Sequence, residues 1–107
     1  MLNRSYNAVV ERNIEWKGSF ATEPYEVGWS KEAIFFITAL KGSSQSNGRV
    51  QISADGMRWC DEGTIINLPK KEGETTFCKI KHYGNWLRII GYTNESITVL
   101  VTLSLKE

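Results

Sequence analysis

The side chains able to do chemistry in this chain of 107 residues are few, and each stands alone. His82 is the single histidine, in the stretch Lys79-Ile80-Lys81-His82-Tyr83-Gly84. To act as a general base it needs a nucleophile beside it and a carboxylate to orient it. No serine lies in a Gly-x-Ser-x-Gly elbow, so no catalytic residue is assigned and the chain reads as a non-enzyme. Cys60 and Cys78 lack a second Cys or His at the short spacing of a zinc site or a redox pair. They are expected as two reduced core or near-core thiols, with a cross-strand disulfide as the alternative. Asp55, Asp61 and Glu62 could offer oxygens to calcium, but no DxDxDG-like run gathers them, so no metal and no cofactor are expected. Lys70-Lys71 reads as a solubilising pair.

The aromatic residues carry more. Trp16, Tyr25, Trp29, Tyr83 and Trp86 stand next to Gly, Pro or charged neighbours at strand ends, where a flat ring can stack on a sugar or bury itself in a partner. These five are the candidate binding residues. Trp59 and Phe36 are expected in the core.

The elements that must position them read as strands throughout. Residues 6–10 and 13–20 form two short β-prone runs divided near Glu11-Arg12-Asn13, and 22–30, with Pro24 and Gly28, is an edge or a loop. Ala33 to Leu40 is apolar on both parities. It is expected at the centre of a sheet, buried on both faces or with its outward face against a neighbouring subunit. Lys41 to Gly48 is polar and predicts a mobile loop between neighbouring strands, without a core anchor. Residues 48–54 lead into Asp55-Gly56, which predicts a tight hairpin with both residues at positive φ, and 59–66 is the return strand. After the loop 67–74 come strands at 75–83 and 86–92, a turn at 93–96, and a last strand. There Ile97, Val99, Val101, Leu103 and Leu105 share one face.

No stretch of ten residues carries a helical apolar stripe. The pattern predicts a single all-β domain over 1–107. It is an antiparallel two-sheet β-sandwich of about seven to eight strands, jelly-roll or immunoglobulin-like, with a closed barrel as the alternative. Thirteen basic against twelve acidic side chains give a formal charge of +1, which disfavours nucleic acid as a partner. The apolar run from Ala33 to Leu40 falls far short of the roughly 20 residues of a spanning helix, and no secretory leader opens the sequence. A cytoplasmic protein, or a virion or particle component released by lysis, is expected. The sequons Asn3-Arg4-Ser5 and Asn94-Glu95-Ser96 are expected to be unused.

Two resemblances rest on residues already quoted. Ser53-x-Asp55-Gly56-x-x-Trp59 followed by Trp86-Leu87-Arg88-Ile89 resembles the paired strands of discoidin-type (F5/8 type C-like) modules, which implies carbohydrate or lipid-headgroup binding. The same hairpin, with the aromatic-Leu-Arg strand and the alternating last strand, resembles a set of small bacterial and phage-associated β-sandwich proteins. That second likeness runs from about Phe35 to Leu105 by strand order. Together these readings favour a non-catalytic structural or assembly module that oligomerises or decorates a larger particle. A carbohydrate- or other ligand-binding module is the alternative.

Overall fold

The last strand of the chain organises all the others. The computed structural model describes residues 5–81 and 83–107, so His82 and the sequon at Asn3 lie outside the described residues. The seven strands are β1 (Ser5–Ala21), β2 (Tyr25–Glu26), β3 (Glu32–Gly42), β4 (Asn47–Ser53), β5 (Cys60–Asn67), β6 (Thr75–Lys81) and β7 (Trp86–Lys106). All pairings are antiparallel, in the order β5-β4-β7-β3-β6, with β1 and β2 also on β7. The first half of β7 pairs with β4, from Trp86 opposite Ser53 to Gly91 opposite Gly48. Its second half pairs with β3, from Ile97 opposite Gly42 to Lys106 opposite Glu32. One continuous sheet is thereby folded over into two layers: β6-β3-β7-β1, here the first layer, and β5-β4-β7-β1 with β2, the second. The smallest dimension of the molecule, 19 Å, fits two sheets roughly 10 Å apart.

The bends fall where the sequence shows turn chemistry, but the strands run through them. β7 does not turn back at 93–96. Thr93 is buried there, and its hydroxyl bonds Ser44 Oγ at 2.7 Å and donates to the Glu95 carbonyl at 2.9 Å. β1 is likewise one strand, with register shifts between Val9 and Glu11, between Glu11 and Ile14, and between Trp16 and Gly18. Asn13 relieves the bend by adopting a φ of 56°, a left-handed conformation that asparagine tolerates.

The loop from β3 to β4 departs from expectation. β3 and β4 are not neighbours, because β7 lies between them. The loop therefore crosses from one layer to the other, and Ser44, 1% exposed, anchors it. Ser44 N–H donates to the Pro69 carbonyl at 2.9 Å, and Leu68 N–H donates to that of Ser46 at 3.1 Å. A polar side chain can anchor a core when its hydroxyl is satisfied, which composition alone does not reveal.

Between the layers lie Ala33, Phe35, Ile37 and Ala39 of β3, Cys78 and Ile80 of β6, Val50 of β4 and Ile66 of β5. From β7 come Leu87 and Ile89, and then Ile97, Val99, Val101, Leu103 and Leu105. Every inward residue of β7 is odd-numbered on both sides of the bend, so the bend preserves which face is buried. Trp16 and Phe20 of β1 stack at 4.2 Å between ring centres. Phe20 in turn lies against the cross-strand pair Gly48 and Gly91. A Cβ on Gly91 would sit 2.6 Å from Phe20 Cζ, so a glycine is required there for packing.

Candidate functional site

The side of the sandwich where β1 and β2 form its two edges carries an aromatic cleft of about 660 Å³. Ser5 and Tyr6 line one wall, and Pro24, Tyr25, Glu26 and Trp29 the other. The second wall is a pinned segment. Thr22 exchanges bonds with Ile89, Val27 N–H donates to the Asn85 carbonyl at 2.7 Å, and Lys31 N–H donates to the Lys106 carbonyl at 2.8 Å. With Thr22 and Val27 buried, the residues between them face outward. Pro24 needs no ladder partner at this position.

Tyr6 and Trp29 meet edge to face, 6.5 Å apart at 82°, and are 53% and 39% exposed. Tyr25 and Tyr6 share a hydroxyl hydrogen bond; burial first, and then this bond, raise the Tyr25 pKa. The Glu26 carboxylate accepts the Gly28 N–H at 2.7 Å. Further along β1, Glu11 reaches across to accept the Glu23 N–H. Its pKa is raised by burial and then by the Glu23 charge. The β1 edge and the 22–29 segment are therefore bridged at two places, by a pair of tyrosines and by a pair of glutamates.

Of the five aromatics singled out in the sequence, Tyr25 and Trp29 line this cleft. Trp16 does not: it is 4% exposed and belongs to the core, because strand alternation places it opposite the inward Ile97 and beside Phe20. Tyr83 is half-buried against the core, its hydroxyl 2.6 Å from Ser30 Oγ; burial raises its pKa, and the Ser30 bond opposes this. Trp86 is half-buried beside the 54–59 turn. Tyr6 was not singled out, since its place in the β1 alternation suggested nothing beyond a strand residue. Only the open side of the sandwich exposes it.

The Ser53-to-Trp59 motif is a brace, not a tight two-residue hairpin. β4 ends at Ser53 and β5 begins at Cys60, and in the turn between them only Gly56 takes a positive φ, of 80°. Ser53 Oγ accepts the N–H groups of Asp55 and Gly56, and Asp55 Oδ1 accepts those of Met57 and Arg58 at 2.9 Å. These last two bonds, Arg58 first, lower the Asp55 pKa to about 2. The two halves of the motif then meet. The Trp86 ring lies 3.2 Å from where a Cβ on Gly56 would stand, and the Arg88 guanidinium sits 4.2 Å from the Trp59 ring centre. Trp59 is accordingly half-buried on the outside of the second layer and not in the core.

Arg88 donates twice to Gln51 Oε1, at 2.9 and 2.7 Å, and Gln51 Nε2 donates to Asp61 Oδ1 at 2.8 Å. Arg49 closes the row on Asp61 at 3.2 Å, and the Gln51 bond leads in lowering the Asp61 pKa. Asp61 is therefore a structural acceptor, not a solitary solvated charge.

The outside of the first layer is different. Phe36, expected in the core, is half-buried there, because β3 sends Ala33, Phe35, Ile37 and Ala39 inward and the even residues out. Phe36 pairs across the ladder with Phe77, which is 58% exposed, their rings 6.1 Å apart. The row continues through Thr102 to Val9, with Ile34 and Leu40 on the same face.

Cys60 is exposed and Cys78 buried, and both are free thiols; burial pushes Cys78 up to about 12. Cys60 is thus a surface residue, not a core or near-core one. Among the described residues no group of three or more His, Cys, Asp or Glu could hold a metal ion, and no helix is long and apolar enough to cross a membrane.

No protein family matches the sequence, and no curated protein resembles it. Among solved structures the fold is similar to the SPBc2 prophage-derived protein YomS, at 9% identity and a TM-score of 0.66, over 100% of this chain and 96% of that one. A chain of the infectious bursal disease virus Gt strain matches at 7% identity and a TM-score of 0.50, over 97% of this chain and 32% of that one. A chain from Bacillus endospore appendages, which form disulfide-linked pili, matches at 9% and 0.47, over 97% and 86%. At such identities these are likenesses of fold. No discoidin module is among these three, so that resemblance rests on the residues of the brace alone.

Proposed function

We propose that the chain is a non-catalytic structural module whose first-layer outer face, centred on Phe36 and Phe77, packs against protein in a larger assembly, beginning with copies of itself. The supporting observation is that face: a phenylalanine pair on β3 and β6, with Ile34 and Leu40 of β3 and Val9 of β1. Apolar surface gathered in this way is characteristic of association sites. The fold likeness to a prophage-derived protein over nearly the whole of both chains fits this reading and extends it to a virion- or particle-associated setting. The near-neutral charge fits packing between like copies, which a strong net charge would oppose.

Light scattering across a dilution series tests the reading. A defined oligomer at micromolar concentration, dissociating with Phe77→Asp while the thermal transition is retained, is the expected result. A monomer at every concentration, unchanged by the substitution, contradicts it.

A further inference from the structure

We propose that β6 pairs edge to edge with β6 of a second copy, antiparallel about a two-fold axis at Phe77, so that the first layers of two molecules form one continuous sheet. This contact rests on the self-association proposed above and adds to it the strand that makes the contact and the symmetry that relates the copies.

Three observations carry it. The first is that the free edges of the sandwich are finished unequally. β1 is broken by three register shifts, and β2 is two residues long. β5 carries a bulge between Asp61 and Ile65, where Gly63 takes a φ of 114° and the Glu62 carboxylate accepts the Thr64 N–H at 2.9 Å. Bulges, shortness and side-chain caps of this kind keep an edge from pairing. β6 has none of them. Its seven residues follow β3 in unbroken register, and no described strand pairs with its other side. Every second residue of an antiparallel edge strand turns its N–H and C=O outward, which is the template for an added strand.

The second is an unsatisfied group on this strand. Thr76 lines a groove of about 440 Å³ together with Ile65 and Asn67 of β5 and Phe77 of β6. Its hydroxyl oxygen is buried and has no hydrogen-bond partner among the described residues. A strand laid along β6 brings backbone polar groups alongside it.

The third is self-complementarity, and it selects a second copy. Thr75, Phe77, Lys79 and Lys81 share the outward face of β6. A two-fold axis at residue 79 or 80 sets lysine opposite lysine, which like charge opposes. An axis at Phe77 sets that ring against its own copy and Thr75 opposite Lys79. The cross-strand pair of Phe36 and Phe77 then doubles into a row of four rings across the two molecules. In the same register Lys81 of each copy falls opposite Gly73 of the other, between Glu72 and Glu74, while Lys70 and Lys71 lie beyond the end of the strand. β6 thus carries in its own sequence the partner strand that it complements, as an isologous contact requires.

The experiment follows amide hydrogen exchange of the intact chain in dilute and in concentrated solution, with light scattering on the same samples. The expected result is a dimer in which alternate amides between Thr75 and Lys81 exchange about tenfold more slowly than in the dilute sample, while those of β1 and β5 are unchanged. This needs no mutation and so does not depend on a variant folding. Lys79→Glu should weaken dimerisation severalfold by setting a carboxylate near Glu74 of the other copy, and Glu74→Lys added to it should restore the affinity. A dimer whose β6 amides stay as open as in the dilute sample overturns the edge contact and leaves association through the outer face standing. A monomer at every concentration overturns both, and a dimer indifferent to Lys79→Glu overturns the register.

Discussion

The outward faces of the two layers are built from the same kinds of strand and finished in opposite ways. On the second layer the protein covers the row nearest the 54–59 turn, while Ile65 and Tyr92 stay exposed beyond it. Asp61, Gln51 and Arg88 satisfy one another across three strands, and Trp59 folds back from the turn to lie on Arg88. On the first layer the corresponding positions hold Phe77, Phe36, Thr102 and Val9, with Phe77 and Val9 exposed. Hydrogen bonds and a cation–π contact made within the chain stabilise the monomer, whereas rings left in the open gain only when a second surface arrives.

Removing either phenylalanine should have the largest effect. Phe36→Ala or Phe77→Ala should cost association about 2 kcal/mol or more, roughly thirtyfold in the dissociation constant, as interface anchors do. Sedimentation equilibrium reads this, and an unchanged native mass would erase the contrast. Arg88→Ala should act the other way round. It leaves Gln51 without its donor and Trp59 without its cation, so urea unfolding should show a loss of about 1–3 kcal/mol while the native mass stays constant. An intermediate effect sharpens the role of the brace: Gly56→Ala meets both a positive φ and the Trp86 ring, so it should destabilise by about 1 kcal/mol or more, measured as a lower urea midpoint.

The smallest effect is one of pH. The Asp55 pKa is lowered from 3.8 to about 2 by the N–H groups of Arg58 and Met57. A carboxyl depressed on folding contributes stability that is complete above its unfolded value and disappears as pH falls through the folded one. Thermal melts should therefore decline between about pH 4 and pH 2, and Asp55→Asn should decline less over that window.

Much of this architecture is legible in the sequence because burial follows alternation. The odd residues from Ile97 to Leu105 and from Ala33 to Ala39 point to the core as their spacing requires. The breaks at Glu11 to Asn13 and at 93–96 were legible as irregularities but not as bends within single strands. Whether a polar stretch turns the chain back or merely kinks it depends on partners far away, here Ser44 for Thr93. The two-sided hydrophobicity of 33–40 allowed an apolar outward side, although Phe36, which lies on it, was expected in the core. The cleft was half visible: Tyr25 and Trp29 stand beside Pro24 and Gly28, but Tyr6 joins them only through the pairing of β1 with the far end of the chain. Trp16 shows the limit of reading a residue by its neighbours' chemistry, since Glu15 and Lys17 point outward and simple alternation sends the ring between them inward.

Hydroxyl-radical footprinting, read at single residues in concentrated and in highly diluted protein, tests the unequal finish of the two faces most directly. Oxidation of Phe36 and Phe77 should fall severalfold on concentration, while that of Trp59 and Met57 stays constant. Equal labelling of Phe36 and Phe77 at both concentrations, or protection appearing at Trp59 instead, would contradict the account.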